Sequence, residues 1–182
     1  MSWIPGVVVF VVVAWFVAAY NGLVRLRNQF RNAWHQIDVQ LKRRYDLIPN
    51  LVEVVKDYMS YEQETLQKVI AARGAALSAR GAAAQAEAEN VLTGSLKSLF
   101  AVVENYPELK ANANVAALQE ELAATENKIS FARQFYNDSV MTYNNRIQSI
   151  PSNFIASAFA FPPADYFQAG EESRAVPKAD LR

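Results

Sequence analysis

The sequence contains no cysteine and a single histidine. Without cysteine there is no disulfide and no thiolate metal site, whatever the compartment. His35 alone cannot build a typical zinc centre. It would also have to carry any Ser-His-Asp or Cys-His chemistry unaided, with no nucleophile elbow in the chain. Glu-x-x-His pairs, which a di-metal carboxylate bundle needs on two helices, are absent. So is a glycine-rich phosphate loop. Excess charge of either sign is lacking as well, with 18 cations against 18 acids, which argues against nucleic acid as a partner. No long stretch alternates with period two, so no sheet is expected. These absences leave no cofactor, no metal and no enzyme to expect, and His35 reads as a residue at a helix surface or edge.

Zero net charge hides an asymmetry. Met1 to Asp46 carries Arg25, Arg27, Arg31, Lys42, Arg43 and Arg44 against only Asp38 and Asp46, whereas Leu47 to Asn127 is strongly acidic. The basic first part is suited to packing on the acidic middle. The N-terminus carries the strongest signal. WIPGVVVFVVVAWFVAAY, Trp3 to Tyr20, holds no charge and is near the lower length limit for a membrane-spanning helix. Trp3, Trp15 and Tyr20 are aromatics of the kind found at membrane interfaces, although Trp15 falls inside the run. A cleaved signal peptide is the competing reading. It normally has a cationic leader and a small-x-small cleavage site, and neither is evident. Arg25, Arg27 and Arg31 follow the run and nothing basic precedes it. The positive-inside rule then puts the N-terminus outside and the larger domain in the cytoplasm, on the inner membrane. The basic turn is also suited to anionic headgroups.

Beyond Tyr20, apolar residues recur in steps of three and four. Leu23, Leu26, Phe30, Trp34, Ile37 and Leu41 mark a first amphipathic helix, and Leu51, Val55, Tyr58, Leu66 and Val69 a second, with Glu62 interrupting its face. Ala86 to Glu104 carries a third, and Val115 to Ile150 a long fourth that Pro151 ends. Glu120, Glu121 and Glu126 cluster on the fourth, where two lie on the polar face and read as solvated charge. Ala71 to Asn90 is alanine-rich and holds ARGAA twice, which reads as a thin helix end passing into a connection loosened by Gly74 and Gly81. A small-residue face for another subunit is the alternative.

Between the first and second helices lies KRRYDLIPN, Lys42 to Asn50. Three cations suit a helix C-terminus. Asp46 is a good N-cap, Pro49 fits a first turn, and Ile48 before proline avoids helical dihedrals. Together they predict a tight reversal between two antiparallel helices, and a kinked continuous helix is the alternative. The reversal leaves a mismatch. The first helix would extend only ~36 Å beyond the span, against ~55 Å for the fourth.

YNGLVRLRNQFRNAWHQIDVQLKRRYDLIPNLVEVVKDYMSYEQETLQKVIAAR, Tyr20 to Arg73, resembles the signature half of the LemA family, and RQFYNDSVMTYNNRIQSIPSNFIASAFAFPPADYF, Arg133 to Phe167, is similar to its C-terminal pattern. The resemblance implies an all-α fold: an N-terminal transmembrane helix, then an antiparallel up-and-down four-helix bundle. It implies membrane-associated organisation or regulation rather than a reaction. Members of the family are often encoded near membrane peptidases, and a magnetosome branch is linked to membrane invagination. The expected domains are an anchor over residues 1–22, a bundle over 23–150, and an aromatic segment with a polar tail over 151–182.

Tyr136-Asn137 and Tyr143-Asn144 recur at a heptad step, echoed by Tyr20-Asn21. Asparagine is a poor helix former, so the pair is expected to hydrogen-bond across the bundle with Asp38, Arg44 or Asn50, as a packing network rather than a ligand site. Lys42, Arg43 and Arg44 read as a solvated helix end, with a docking patch as the alternative. PSNFIASAFAFPPADYF, Pro151 to Phe167, concentrates aromatics including Phe159 and Phe161, expected either to cap the bundle core or to meet lipid. The expected function is a scaffold or adaptor that organises partners, or its own copies, at the cytoplasmic membrane face. Its expected partners are membrane lipids and a homo-oligomer. The alternative is a regulatory accessory of a membrane protein such as a peptidase or a signalling protein.

Overall fold

The computed structural model of the chain describes residues 3–59 and 61–167; the expected polar tail beyond Phe167 lies outside them. Among the described residues there are only helices: α1 (Ile4–Lys56), α2 (Gln63–Ser78), α3 (Ala82–Val103), α4 (Pro107–Lys110), α5 (Ala113–Gln148) and α6 (Ser152–Ala158).

α1 overturns the reversal expected at Asp46. It runs 53 residues without a break, with Pro49 in its interior and Asp46 at mid-helix, where it caps nothing. A proline inside a helix leaves the carbonyl four residues back without its N–H donor. Here that carbonyl belongs to Tyr45, and the Arg73 guanidinium of α2 donates Nε–H to it at 2.8 Å. A tertiary hydrogen bond thus replaces the missing local one. The buried row Leu41, Tyr45, Ile48, Leu51, Val55 passes straight through the proline. The burial gained along that row offsets the local preference for a break. The mismatch in helix lengths also disappears, because α1 continues to Lys56, 36 residues past Tyr20, and α5 is 36 residues long.

The chain turns later, after Lys56. Met59 is buried there, and its N–H donates to the Val55 carbonyl at 3.0 Å. α2 and α3 pack on each other across the Ala79–Gly81 connection, within the stretch read as a thin helix end. Gly81 takes φ 84° there, a conformation open to glycine and costly for other residues. Gly74 stays helical inside α2. Pro107 opens α4 at a position that needs no N–H. Asn112 caps α5, its Oδ1 accepting from the N–H groups of Asn114 at 2.9 Å and Val115 at 3.4 Å.

The helices form two compact units. Of the described residues, the first takes those up to Ile37 and Ala132–Tyr166, and the second takes those between Asp38 and Phe131 with Phe167. The first has a core of Ala19, Leu23, Tyr143, Ile147, Ile155, Ala156 and Phe161. The second is built on Leu51, Val55, Val69, Leu92, Leu99, Val115, Leu122 and Ile129, all buried.

Its N-terminal part sets α1 apart. An 18-residue window has a mean hydropathy of 2.4, yet only 11% of it is buried. Val7 to Val13, Trp15, Phe16 and Val17 present their side chains outward. A core helix of equal hydropathy would be covered; this one is long and apolar enough to cross a membrane and is bare.

Candidate functional site

The second unit centres on a charge taken out of water. Arg44 is 2% exposed and Glu89 fully buried. Arg44 Nη1 lies 3.2 Å from Glu89 Oε2 and 2.8 Å from Glu126 Oε2, and Nη2 donates to Thr93 Oγ1 at 2.8 Å. Glu89 Oε1 accepts the Tyr45 hydroxyl proton and, at 3.2 Å, an N–H of Gln85. The same Gln85 nitrogen lies 2.8 Å from the Tyr45 oxygen and 3.1 Å from the Ala76 carbonyl. Residues from α1, α2, α3 and α5 therefore meet in one polar node. A buried ion pair costs several kcal/mol per ion in lost hydration unless further hydrogen bonds offset it; here Thr93, Tyr45 and Gln85 supply them. Burial, then the hydrogen bond and charge of Glu89, raise the Tyr45 pKa well above the usual tyrosine range.

These positions correct the reading of the cationic run. Arg44 is neither a solvated helix end nor an exposed patch, because α1 continues through it and Glu89 neutralises it. Arg43 is exposed and pairs with Glu121. Glu121 and Glu126 are thus partners of α1 rather than merely solvated charge, and the packing of basic on acidic segments takes the form of these pairs. Lys42, Asp38, Asp46, Pro49 and Asn50 lie on the exposed side of α1. Glu89, Tyr45, Gln85, Thr93 and Arg73 went unrecognised in the sequence. A signal for Glu89 existed, since it falls on the apolar stripe Ala86, Leu92, Leu96 of α3, where a charge needs a partner.

Beside the node lies a cavity of about 430 Å³. Leu96, Phe100, Val103 and Leu122 wall it, with Arg44 and Glu126 at its polar edge. Among the described residues no three His, Cys, Asp or Glu side chains come together as metal ligands.

In the first unit, Tyr136, Tyr143 and Asn144 act on a different target from the one expected. Tyr136 donates its hydroxyl to the Asp165 carbonyl at 2.8 Å, and Tyr143 to the Pro162 carbonyl at 2.9 Å. Asn144 grips Ala164 in both directions: Nδ2 donates to its carbonyl and Oδ1 accepts from its N–H, each at 2.9 Å. Their partners are thus in the segment after α6 instead of Asp38, Arg44 or Asn50. Asn137 is half-buried beside them on α5. Burial raises the pKa of both tyrosines. Phe161 is buried against Tyr20, with the Arg27 guanidinium 4.8 Å over its ring. Phe159 is half-exposed and packs at a tilt against Phe16 and edge-on against Tyr20.

The segments that carry this geometry are also those shared with known proteins. The chain is 26% identical to the protein LemA of Metamycoplasma hominis over 169 residues, covering 92% of this chain and 77% of that one. It is 24% identical to the magnetosome protein MamQ 2 of Paramagnetospirillum magneticum over 182 aligned residues, covering 86% and 67%. It is 23% identical to the magnetosome protein MamQ of Magnetospirillum gryphiswaldense over 174, covering 81% and 64%. The LemA family model matches residues 33–181, a span that takes in the buried node, the cavity and the clamp on the segment after α6, and the chain therefore belongs to the LemA family.

Proposed function

We propose that the protein is a single-pass, membrane-anchored helical scaffold that organises its own copies, or partner proteins, at the cytoplasmic face of the inner membrane, without enzymatic activity of its own. One observation carries this reading: a single uninterrupted helix bears the exposed apolar stretch at one end and Arg44, the centre of the buried node, further along. A cleaved signal sequence would not be expected to run on as the helix that organises the domain. Similarity to magnetosome proteins supports a membrane setting. Within the second unit, the C-terminal part of α1, α2, α3 and the first part of α5 are the natural candidates for the four helices of an antiparallel bundle, since short connections favour antiparallel neighbours.

The test uses the full chain in native membranes. The protein should stay with the membrane after alkaline carbonate washing, and protease added to intact spheroplasts should spare the helical domain; its digestion there would reverse the orientation. Crosslinking followed by affinity purification should recover mainly further copies of the chain or several partners. Recovery of one other membrane protein at fixed stoichiometry would instead favour a regulatory accessory.

A further inference from the structure

α6 and the turn after it divide their aromatic residues between two environments. Ile155, Ala156 and Phe161 are buried in the core of the first unit, while Ile150, Phe154 and Phe159 are 79%, 69% and 48% exposed. The backbone makes the division sharp. Ala160 takes φ 52°, a left-handed conformation that non-glycine residues seldom adopt. This turn separates outward Phe159 from inward Phe161. No charged residue lies between Arg146 and Asp165, so the exposed apolar groups have no charge of their own segment beside them in sequence.

The position of this patch identifies what covers it. Phe159 packs at a tilt against Phe16, at a ring separation of 5.7 Å, and edge-on against Tyr20, at 5.2 Å. Both belong to the last turns of the bare apolar stretch of α1. At Phe159 the exposed aromatic surface of this segment therefore joins the exposed surface of the span. Just beyond it the character changes: Arg27 covers Phe161, and Arg25 and Arg31 are exposed on the neighbouring turns. An apolar stretch, then aromatics, then cations is the order of a bilayer leaflet read from its hydrocarbon to its headgroups. The span itself is short. Trp3 to Tyr20, 18 residues, gives about 27 Å at 1.5 Å per residue, against a hydrocarbon core of about 30 Å.

We propose that Ile150, Phe154 and Phe159 form a lipid-inserted foot, which lies in the acyl–headgroup boundary of the leaflet entered by the C-terminal end of the span. The proposal rests on the reading that α1 crosses a membrane. Its occupant is the bilayer. The foot adds apolar surface beside the short span at the end where hydrocarbon would otherwise meet polar backbone, and Arg25, Arg27 and Arg31 stand at headgroup depth. A protein held by one helix can turn about it; a second insertion point beside the helix fixes which side faces the lipid.

Because the chain has no cysteine, single-cysteine variants report without background. Phe154→Cys and Phe159→Cys, each made in the full chain and labelled with a nitroxide, are reconstituted in phosphatidylcholine–phosphatidylglycerol vesicles. Collision with oxygen, which partitions into lipid, is compared with collision with a water-soluble nickel chelate. Val12→Cys in the span and Tyr61→Cys, at a side chain 94% exposed, serve as references. The expected result is an oxygen-to-nickel ratio at 154 and 159 several-fold above that at 61 and near that at 12. A ratio at 154 and 159 equal to that at 61, with 12 reading lipid, overturns the foot and leaves the anchor standing. Low collision with both reagents, together with spin–spin broadening, means a second copy covers the patch and overturns it too. If position 12 fails to read lipid, the anchor reading falls and takes the foot with it. Phe154 makes no ring contact among the described residues, so its variant remains informative if Phe159→Cys disturbs the ring contacts with Phe16 and Tyr20.

Discussion

Arg44 is the residue whose surroundings leave it least freedom. It is 2% exposed and held between two acids, Glu89 of α3 and Glu126 of α5. The pair is therefore asymmetric in its response to mutation. Arg44→Met leaves the Glu89 carboxylate buried without its cation, and removing one partner of such a pair costs about 3–5 kcal/mol. The double variant Arg44→Met, Glu89→Leu should recover much of that loss, because apolar replacements of similar volume are often neutral. Urea unfolding of the detergent-solubilised protein gives both numbers. If the double variant is as unstable as the single one, the node's contribution lies in Tyr45, Gln85 and Thr93 rather than in the ion pair. The sequence displayed Arg44 as one of three equivalent cations. What distinguishes it from Lys42 and Arg43 is the face of α1 on which it falls, beside Leu41 and Ile48, and that is visible only once α1 is read as continuous.

At the level of elements, the instructive case is α1. Cations, Asp46 and Pro49 are each genuine punctuation, and together they predicted a reversal. The periodic row Leu41, Tyr45, Ile48, Leu51, Val55 said otherwise, and it was the better guide, because it reports burial along the helix rather than local preference. The donor that satisfies the Tyr45 carbonyl comes from Arg73 in another helix, so no window around Pro49 contains it. This predicts coupling between distant positions. Arg73→Ala should cost about 1–3 kcal/mol by leaving a carbonyl short of its partner. In a Pro49→Ala background, where the substituted residue restores the backbone N–H, the loss of Arg73 should cost measurably less. A double-mutant cycle in urea reads the difference, and strict additivity would mean that Arg73 does not substitute for the missing donor. The other elements were more legible. α5 follows its predicted face from Val115 to Ile147, and the connection at Gly81 falls within the alanine-rich stretch read as one. By contrast, the turn after Lys56 has neither glycine nor proline to announce it. The heptad recurrence of Tyr-Asn is visible in the sequence, but the groups that Tyr136, Tyr143 and Asn144 bind are not, because a backbone carbonyl carries no signature there.

Across the whole molecule, the phenols set an alkaline limit. Tyr45, Tyr136 and Tyr143 all have raised pKa values, with burial the main cause. Above about pH 10 the tyrosines of an unfolded chain give up their protons, while the raised pKa values of these three hold their protons to higher pH. Unfolding then releases protons, so stability is full below that pH and falls as pH rises through it, by up to about 1.4 kcal/mol per pH unit for each such tyrosine. Tyr45→Phe should start less stable at neutral pH yet decline less steeply above about pH 10, as read from urea midpoints over that range; an unchanged slope would remove Tyr45 from the set. Two of the same phenols, with Asn144, hold the segment after α6. Their hydrogen bonds go to backbone carbonyl oxygens and an N–H of the residues they hold. Pro162 and Pro163, with φ already restricted, leave little disorder to lose there. This attachment recognises the path of the chain and not its spelling. The foot is therefore mounted as an interchangeable part, and its outward residues can be rewritten for a thicker, thinner or differently charged bilayer while the fastening that holds it stays as it is.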